Sequence, residues 1–367
     1  MDERGTALAA ALCIIIVLLP LGALVALQCR TDLAIRHNLR TEIEAFYVAE
    51  AGLEHAVAEI GPGQSFAALL VGPDGVPGTA DDGVFPFREG VPAPFPRAPY
   101  RHEVHVEDAQ GAMVRLISQG MGEHGASKIV EGVVGRSAFP VTPAALYAER
   151  DLSGFDMGTG GFSISGFDHQ PQDGSASSDP GSAVAALSSP SGDTEASLRQ
   201  HFWLNDADRL TGAGGTPSIS TTTALGVERY AAAVTQQGQA VILTGLHGTP
   251  PVLGAPSAPQ LTVVAGPLDI ADSLTGSGVL VVQGMLHVAG SFNFTGLVVA
   301  MGGVVSDPAS TVAVAGALWC GPSQDERLEF RGHGAVAYSR SALSAVDRAW
   351  PALLPHAAML VAWQESL

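Results

Sequence analysis

From Thr6 to Leu27 the chain reads TALAAALCIIIVLLPLGALVAL, without one charged side chain. About 20 helical residues at about 1.5 Å each cross the roughly 30 Å hydrocarbon core of a bilayer, so this run has the length and the chemistry of a span. The pattern does not stop where charges begin. Leu39, Ile43, Phe46, Leu53, Val57 and Ile60 fall on a spacing of three and four, and no Pro or Gly interrupts residues 28–51. That spacing predicts an amphipathic helix continuing out of the apolar one. The expectation is a single helix over residues 6–60, on the order of 80 Å long. Glu50 stands in one slot of the apolar seam, which leaves two readings open. Either it pairs with a basic group or an N-terminal amine of another chain, or Ala49 faces the core and Glu50 lies at its edge.

Gly61-Pro62-Gly63 ends the helix, since Gly and Pro together are strong stop signals. Residues 61–99 read as a Gly/Pro-rich connector. Within it Asp74, Asp81 and Asp82 stand among glycines, an arrangement suited to calcium, which gathers several carboxylate and carbonyl oxygens at once. The spacing is not that of an EF-hand, and Asp-Gly and Pro-Gly pairs are also common turn makers, so a solvated turn is the other reading. Three alternating segments over residues 100–138 predict a small antiparallel sheet.

Beyond Pro140 the texture changes. Stretches such as GVLVVQGMLHVAGSFNFTGLVVAMGGVV, residues 278–305, are bursts of Val, Leu and Phe cut by Gly or Asn. Each burst is too short to bury itself, and stacking coil on coil creates one continuous core. Residues 139–367 therefore read as a β-solenoid, with a sandwich as the alternative. Asp168, His169 and Asp173 admit a metal reading beside that of a polar turn. The tail predicts a short helix and then a strand, AAMLVAWQ, closing a sheet edge. The fold class is thus α+β, a long N-terminal helix packed on a small antiparallel sheet, followed by a mostly β, solenoid-like domain.

A formal net charge of −18 argues against nucleic-acid binding, which needs clustered Lys and Arg against phosphates. Cys13 lies in the apolar run, leaving Cys29 and Cys320 as one conceivable bridge and no disulfide framework. No nucleophile elbow, zinc-protease helix or phosphate loop is present, and the chain is expected not to be an enzyme.

The stretches ERGTALAAALCIIIVLLPLGALVALQ and EAFYVAEAGLEHAVAEI together resemble the start of PilX-like minor pilins of the type IV pilus assembly system. The resemblance covers about the first 60 residues. It implies a leader of residues 1–5 cut after Gly5 by a prepilin peptidase, methylation of the new Thr6 amine, and helix packing among other pilins and minor pilins. It implies an inner-membrane precursor with a cytoplasmic N-terminus, then display outside the cell in the pilus, where a tip adhesin is an expected partner. Most major pilins carry Glu as the fifth mature residue; here it is Ala10, which selects an accessory subunit that starts or caps the filament. A type II secretion tip pseudopilin and a membrane-anchored envelope scaffold are the alternatives. Arg30, Arg36 and Arg40 follow the span while Arg4 alone precedes it, a distribution that by the positive-inside rule opposes the orientation a pilin requires.

Overall fold

The structure is a computed structural model that describes residues 3–61, 65–87, 100–109, 113–149, 155–171, 174–175, 183–204, 206–222, 224–244, 252–322, 327–351 and 353–366. It divides into two compact units. The first holds residues 1–60, 64–136 and 358–367, the second residues 61–63 and 137–357.

In the first unit, helix α1 (Glu3–Glu59) runs for 57 residues with Pro20 inside it, about 85 Å at the standard rise. A short helix α2 (Phe66–Val71) follows. The sheet is built from β1 (Arg101–Asp108), β2 (Val114–Met121) and β3 (Ser127–Pro140), which pair antiparallel in sequence order. A fourth strand, His356–Ser366, joins the free side of β3. The expected connector contributes more than a link, since Leu69 of α2 and Phe85 are buried in this unit's core.

The packing of α1 on the sheet differs from the stripe that its large residues suggest. Leu39 is 56% exposed and Ile43 46%, whereas Ala45, Val48, Ala49, Leu53, Ala56 and Ile60 are buried. The cause is close approach. A Cβ added at Gly120 of β2 would strike the backbone of Ala45 and Ala49, and one added at Gly52 would lie 2.6 Å from Ser118 Oγ and 2.8 Å from His102 Cβ. Backbones that near leave room only for alanine and glycine along the contact, so the larger side chains are turned to its flanks.

The second unit is a solenoid of parallel strands. Its main sheet runs in order through Val241–Leu243, Gln260–Val264, Ser273–Val282, Ser291–Ala300, Thr311–Cys320, His333–Tyr338, Ser163–Ser165 and Leu210–Thr211. Leu268–Ile270, Leu286–Val288, Gly303–Ser306 and Arg327–Phe330 form a second parallel sheet. Four of the coils supply one strand to each sheet, and the bursts Val279–Val282, Leu297–Ala300 and Ala317–Cys320 are buried along their whole length, as expected of parallel strands covered on both faces. Gly278, Gly296 and Gly316 stack in register just before these bursts, with φ of 122°, 127° and 143°. A Cβ on any of them would strike the carbonyl of the residue it pairs with in the preceding coil, so the strand can turn there only as glycine. Inside the core Phe162 and Phe330 stack at 4.4 Å, and the buried Trp319 indole donates to Thr142 Oγ1 at 2.9 Å. Cys29 is exposed and Cys320 buried, and neither is in a disulfide.

Gly296→Ala should destabilise the second unit by about 2–4 kcal/mol, the combined cost of a side chain at positive φ and of overpacking. Urea unfolding of the full chain in detergent, followed by tryptophan fluorescence, reads this as a lower midpoint at unchanged slope.

Candidate functional site

The element that organises the first unit is also the one with unassigned surface. From Leu18 onward α1 is long and apolar enough to cross a membrane, and none of its apolar window is buried. Leu18, Leu19, Leu21, Leu24, Val25 and Leu27 are all more than half exposed, as are Leu33 and Ile35 above them. Only from Thr41 on does the helix begin to bury residues against the sheet. The rod is therefore bare from Leu18 to Arg40 and docked from Thr41 on.

Where the two halves meet, Glu44 accepts from Arg40 Nε at 2.8 Å and from the Tyr100 hydroxyl at 2.9 Å. The Arg40 hydrogen bond, then that of Tyr100, holds the Glu44 carboxyl below its ordinary range. The same bond to Glu44 raises the Tyr100 phenol. This cluster ties α1 to the entry of the sheet across 56 residues of sequence. The seam residue Glu50 is half exposed beside the fully buried Ala49, and among the described residues it has no ion-pair partner. Gly5, Thr6 and Ala10 lie in the first turns of α1, placed as helical backbone.

The loop between α2 and the sheet draws its three aspartates inward. Asp74 Oδ1 accepts from Val76 N at 2.8 Å, Asp82 Oδ2 from Gly78 N at 2.6 Å, and Asp81 from Thr79 Oγ1 at 2.8 Å and Asp74 N at 3.3 Å. The Thr79 hydroxyl lowers the Asp81 carboxyl below its usual range. These are the bonds of a turn whose carboxylates cap their own backbone. Among the described residues no three His, Cys, Asp or Glu side chains gather where they could hold one metal ion. In the second unit Asp168 Oδ1 accepts from Arg340 N at 2.8 Å, and His169 bonds Ser165 Oγ and the Gly174 carbonyl. Asp173 lies outside the described residues.

Sequence reasoning missed the Glu44 cluster and the small-residue seam. The first joins positions far apart in the chain and leaves no local pattern. The second was visible as the run Ala45, Ala49, Gly52 and Ala56, spaced by three and four like any helical face.

No family description matches the chain, and no curated protein does. Among solved structures it is similar to the crystal structure of the competence-associated pilin ComZ from Thermus thermophilus. That match covers 89% of this chain and 98% of the other at 15% sequence identity, with a TM-score of 0.24. Similarity at that TM-score carries no weight for fold or function, which leaves the chain's own residues to bear the reading.

Two measurements test the docked half. Gly120→Val should cost at least about 2 kcal/mol, because a branched side chain cannot enter the Ala45–Ala49 contact, while Leu39→Ala should stay within about 0.5 kcal/mol; chemical denaturation of both variants decides. Tyr100→Phe should lower Tm at pH 7. A carboxylate whose folded pKa is depressed contributes in full above its unfolded value of about 4.3 and loses that contribution as pH falls through the folded value. The Tm gap between wild type and Tyr100→Phe should therefore narrow below about pH 4 and persist up to about pH 10, where the raised phenol still keeps its proton.

Proposed function

We propose that the chain is an accessory subunit of a type IV pilus-like filament, a minor pilin that helps to start or cap assembly and displays its solenoid outside the cell. The observation that carries this reading is the division of α1 into a stretch bare from Leu18 to Arg40 and a stretch docked on a four-stranded sheet. A helix that served only as an anchor has no need to continue as the core element of the next unit. In this reading the apolar half rests in the inner membrane in the precursor and afterwards packs beside the helices of other pilins. Removal from lipid to helix contacts is then driven by side-chain packing rather than by water exclusion. Cleavage after Gly5 by a prepilin peptidase would expose Thr6 as the new terminus, and Ala10, in place of an acidic residue, suits a subunit that joins few neighbours. The exposed row Leu33, Ile35, Leu39, Ile43 and Tyr47 supplies further apolar surface for such neighbours. A tip adhesin is a partner that the solenoid would present. The role is structural, with no catalytic turnover in it.

A second reading has one observation in its favour. Arg30, Arg36 and Arg40 on the C-terminal side of the span suit an anchored protein that never enters a filament.

Mass spectrometry of the mature N-terminus should find N-methyl-Thr6. An intact Met1 would instead favour the anchored protein. Loss of surface filaments on deletion, with secretion retained, separates a pilus subunit from a secretion pseudopilin.

A further inference from the structure

We propose that Ser165 is a nucleophile activated by His169 and forms a covalent acceptor site for one acyl group, delivered by an activated ester. Ser165 ends the strand Ser163–Ser165, in which Ile164 is buried in the solenoid core while Ser163 and Ser165 face outward, half buried. Its Oγ lies 2.8 Å from His169 Nε2, and His169 Nδ1 lies 3.0 Å from the Gly174 carbonyl oxygen. A carbonyl oxygen can only accept, so Nδ1 carries the proton. The neutral imidazole then presents a bare Nε2, and the Ser165 hydroxyl donates to it. A serine hydrogen-bonded to a base that is itself oriented by a third group is the arrangement that activates a hydroxyl for attack. Thr211 Oγ1 donates to Ser165 Oγ at 3.4 Å, completing a relay of Thr211, Ser165, His169 and the Gly174 carbonyl.

The pair is held by backbone on every side. Ser165 sits in the sheet between Ala337 and Thr211. His169 N donates to Tyr338 O at 2.8 Å, Gln170 N to Ser175 O at 2.8 Å and Gly174 N to Gln170 O at 2.9 Å. The Asp168 carboxylate, bound to Arg340 N, pins the residue next to His169.

In the step proposed, Ser165 Oγ bonds to the ester carbonyl carbon as its proton passes to His169 Nε2. The carbon–oxygen bond to the leaving group breaks, and the departing oxyanion takes the electron pair and later a proton. The reaction stops at the acyl-serine. The Gly166 N–H, the backbone donor directly after the nucleophile, is spent on Thr211 O at 2.7 Å. Without such a donor, neither forming nor releasing the tetrahedral adduct is assisted, so a good leaving group is needed and turnover does not follow. The acceptor site is independent of any place in a filament.

The test uses the full chain in detergent with p-nitrophenyl acetate, following p-nitrophenolate release and mapping acetylated peptides by mass spectrometry. The expected result is one acetyl group on Ser165 of the wild type and one equivalent of p-nitrophenolate. Ser165→Ala abolishes that label, His169→Gln slows it about 100-fold, the scale of general-base assistance, and Ser163→Ala leaves it unchanged. No acetyl on Ser165 in the wild type overturns the proposal, whatever the variants do. So does Ser163 labelling as fast as Ser165, or Ser165 labelling at the wild-type rate in His169→Gln. Release continuing past one equivalent, and abolished by Ser165→Ala, overturns the claim that the site only accepts.

Discussion

The first unit depends on how closely a helix can approach a sheet. Gly120 offers no side chain to α1, and Ala45, Ala49, Gly52 and Ala56 offer almost none to the sheet. Contact between backbones takes the place that interlocking aliphatic side chains hold in most helix–sheet packings. Leu53, buried among β-strand residues and within 3 Å of where a Gly132 side chain would begin, shows where the larger groups resume. Because the contact consists of small residues, it tolerates no enlargement, and dispersion forces acting over many close atom pairs hold it. It also fixes which face of α1 remains outside, since turning the helix would bring Ile43 or Tyr47 against the Gly120 backbone.

The second unit solves a different problem with the same residue. Parallel coils stacked in register need every strand to change direction at the same level, and Gly278, Gly296 and Gly316 supply that change in successive coils. After the glycine each strand is hydrophobic without alternation, because it is covered on both sides. The helix Arg340–Ala349, with Ala342, Leu343 and Val346 buried, lies over part of that surface.

Much of this was legible in the sequence. The long helix follows from an uncharged run and a three–four periodicity, the antiparallel sheet from alternation, and the solenoid from bursts between glycines. What the sequence hid has physical reasons. Hydrophobic spacing ranks faces by greasiness, so it pointed to Leu39 and Ile43, whereas close approach selects for smallness. The solenoid shows no fixed period because its register partners, Ser273 with Ser291, Ser291 with Thr311 and Thr311 with His333, lie at steadily wider separations. The loops absorb the difference while the strands stay aligned. Glu44 and Tyr100, or Ser165 and Thr211, meet only through the fold, and single histidines scattered along a chain carry no spacing to read.

The strand His356–Ser366 belongs to the sheet of the first unit, although residues 141–355, nearly all of the second unit, lie between it and β3 in the chain. A ribosome delivers residues in order, so β3 must wait for its last neighbour until the solenoid has been made. Until then that flank of the sheet shows bare N–H and C=O groups, the surface on which strand-binding chaperones act. Completion of the sheet thus reports that everything upstream has been synthesised, and a chain cut short inside the solenoid is marked by an open flank beside its helix.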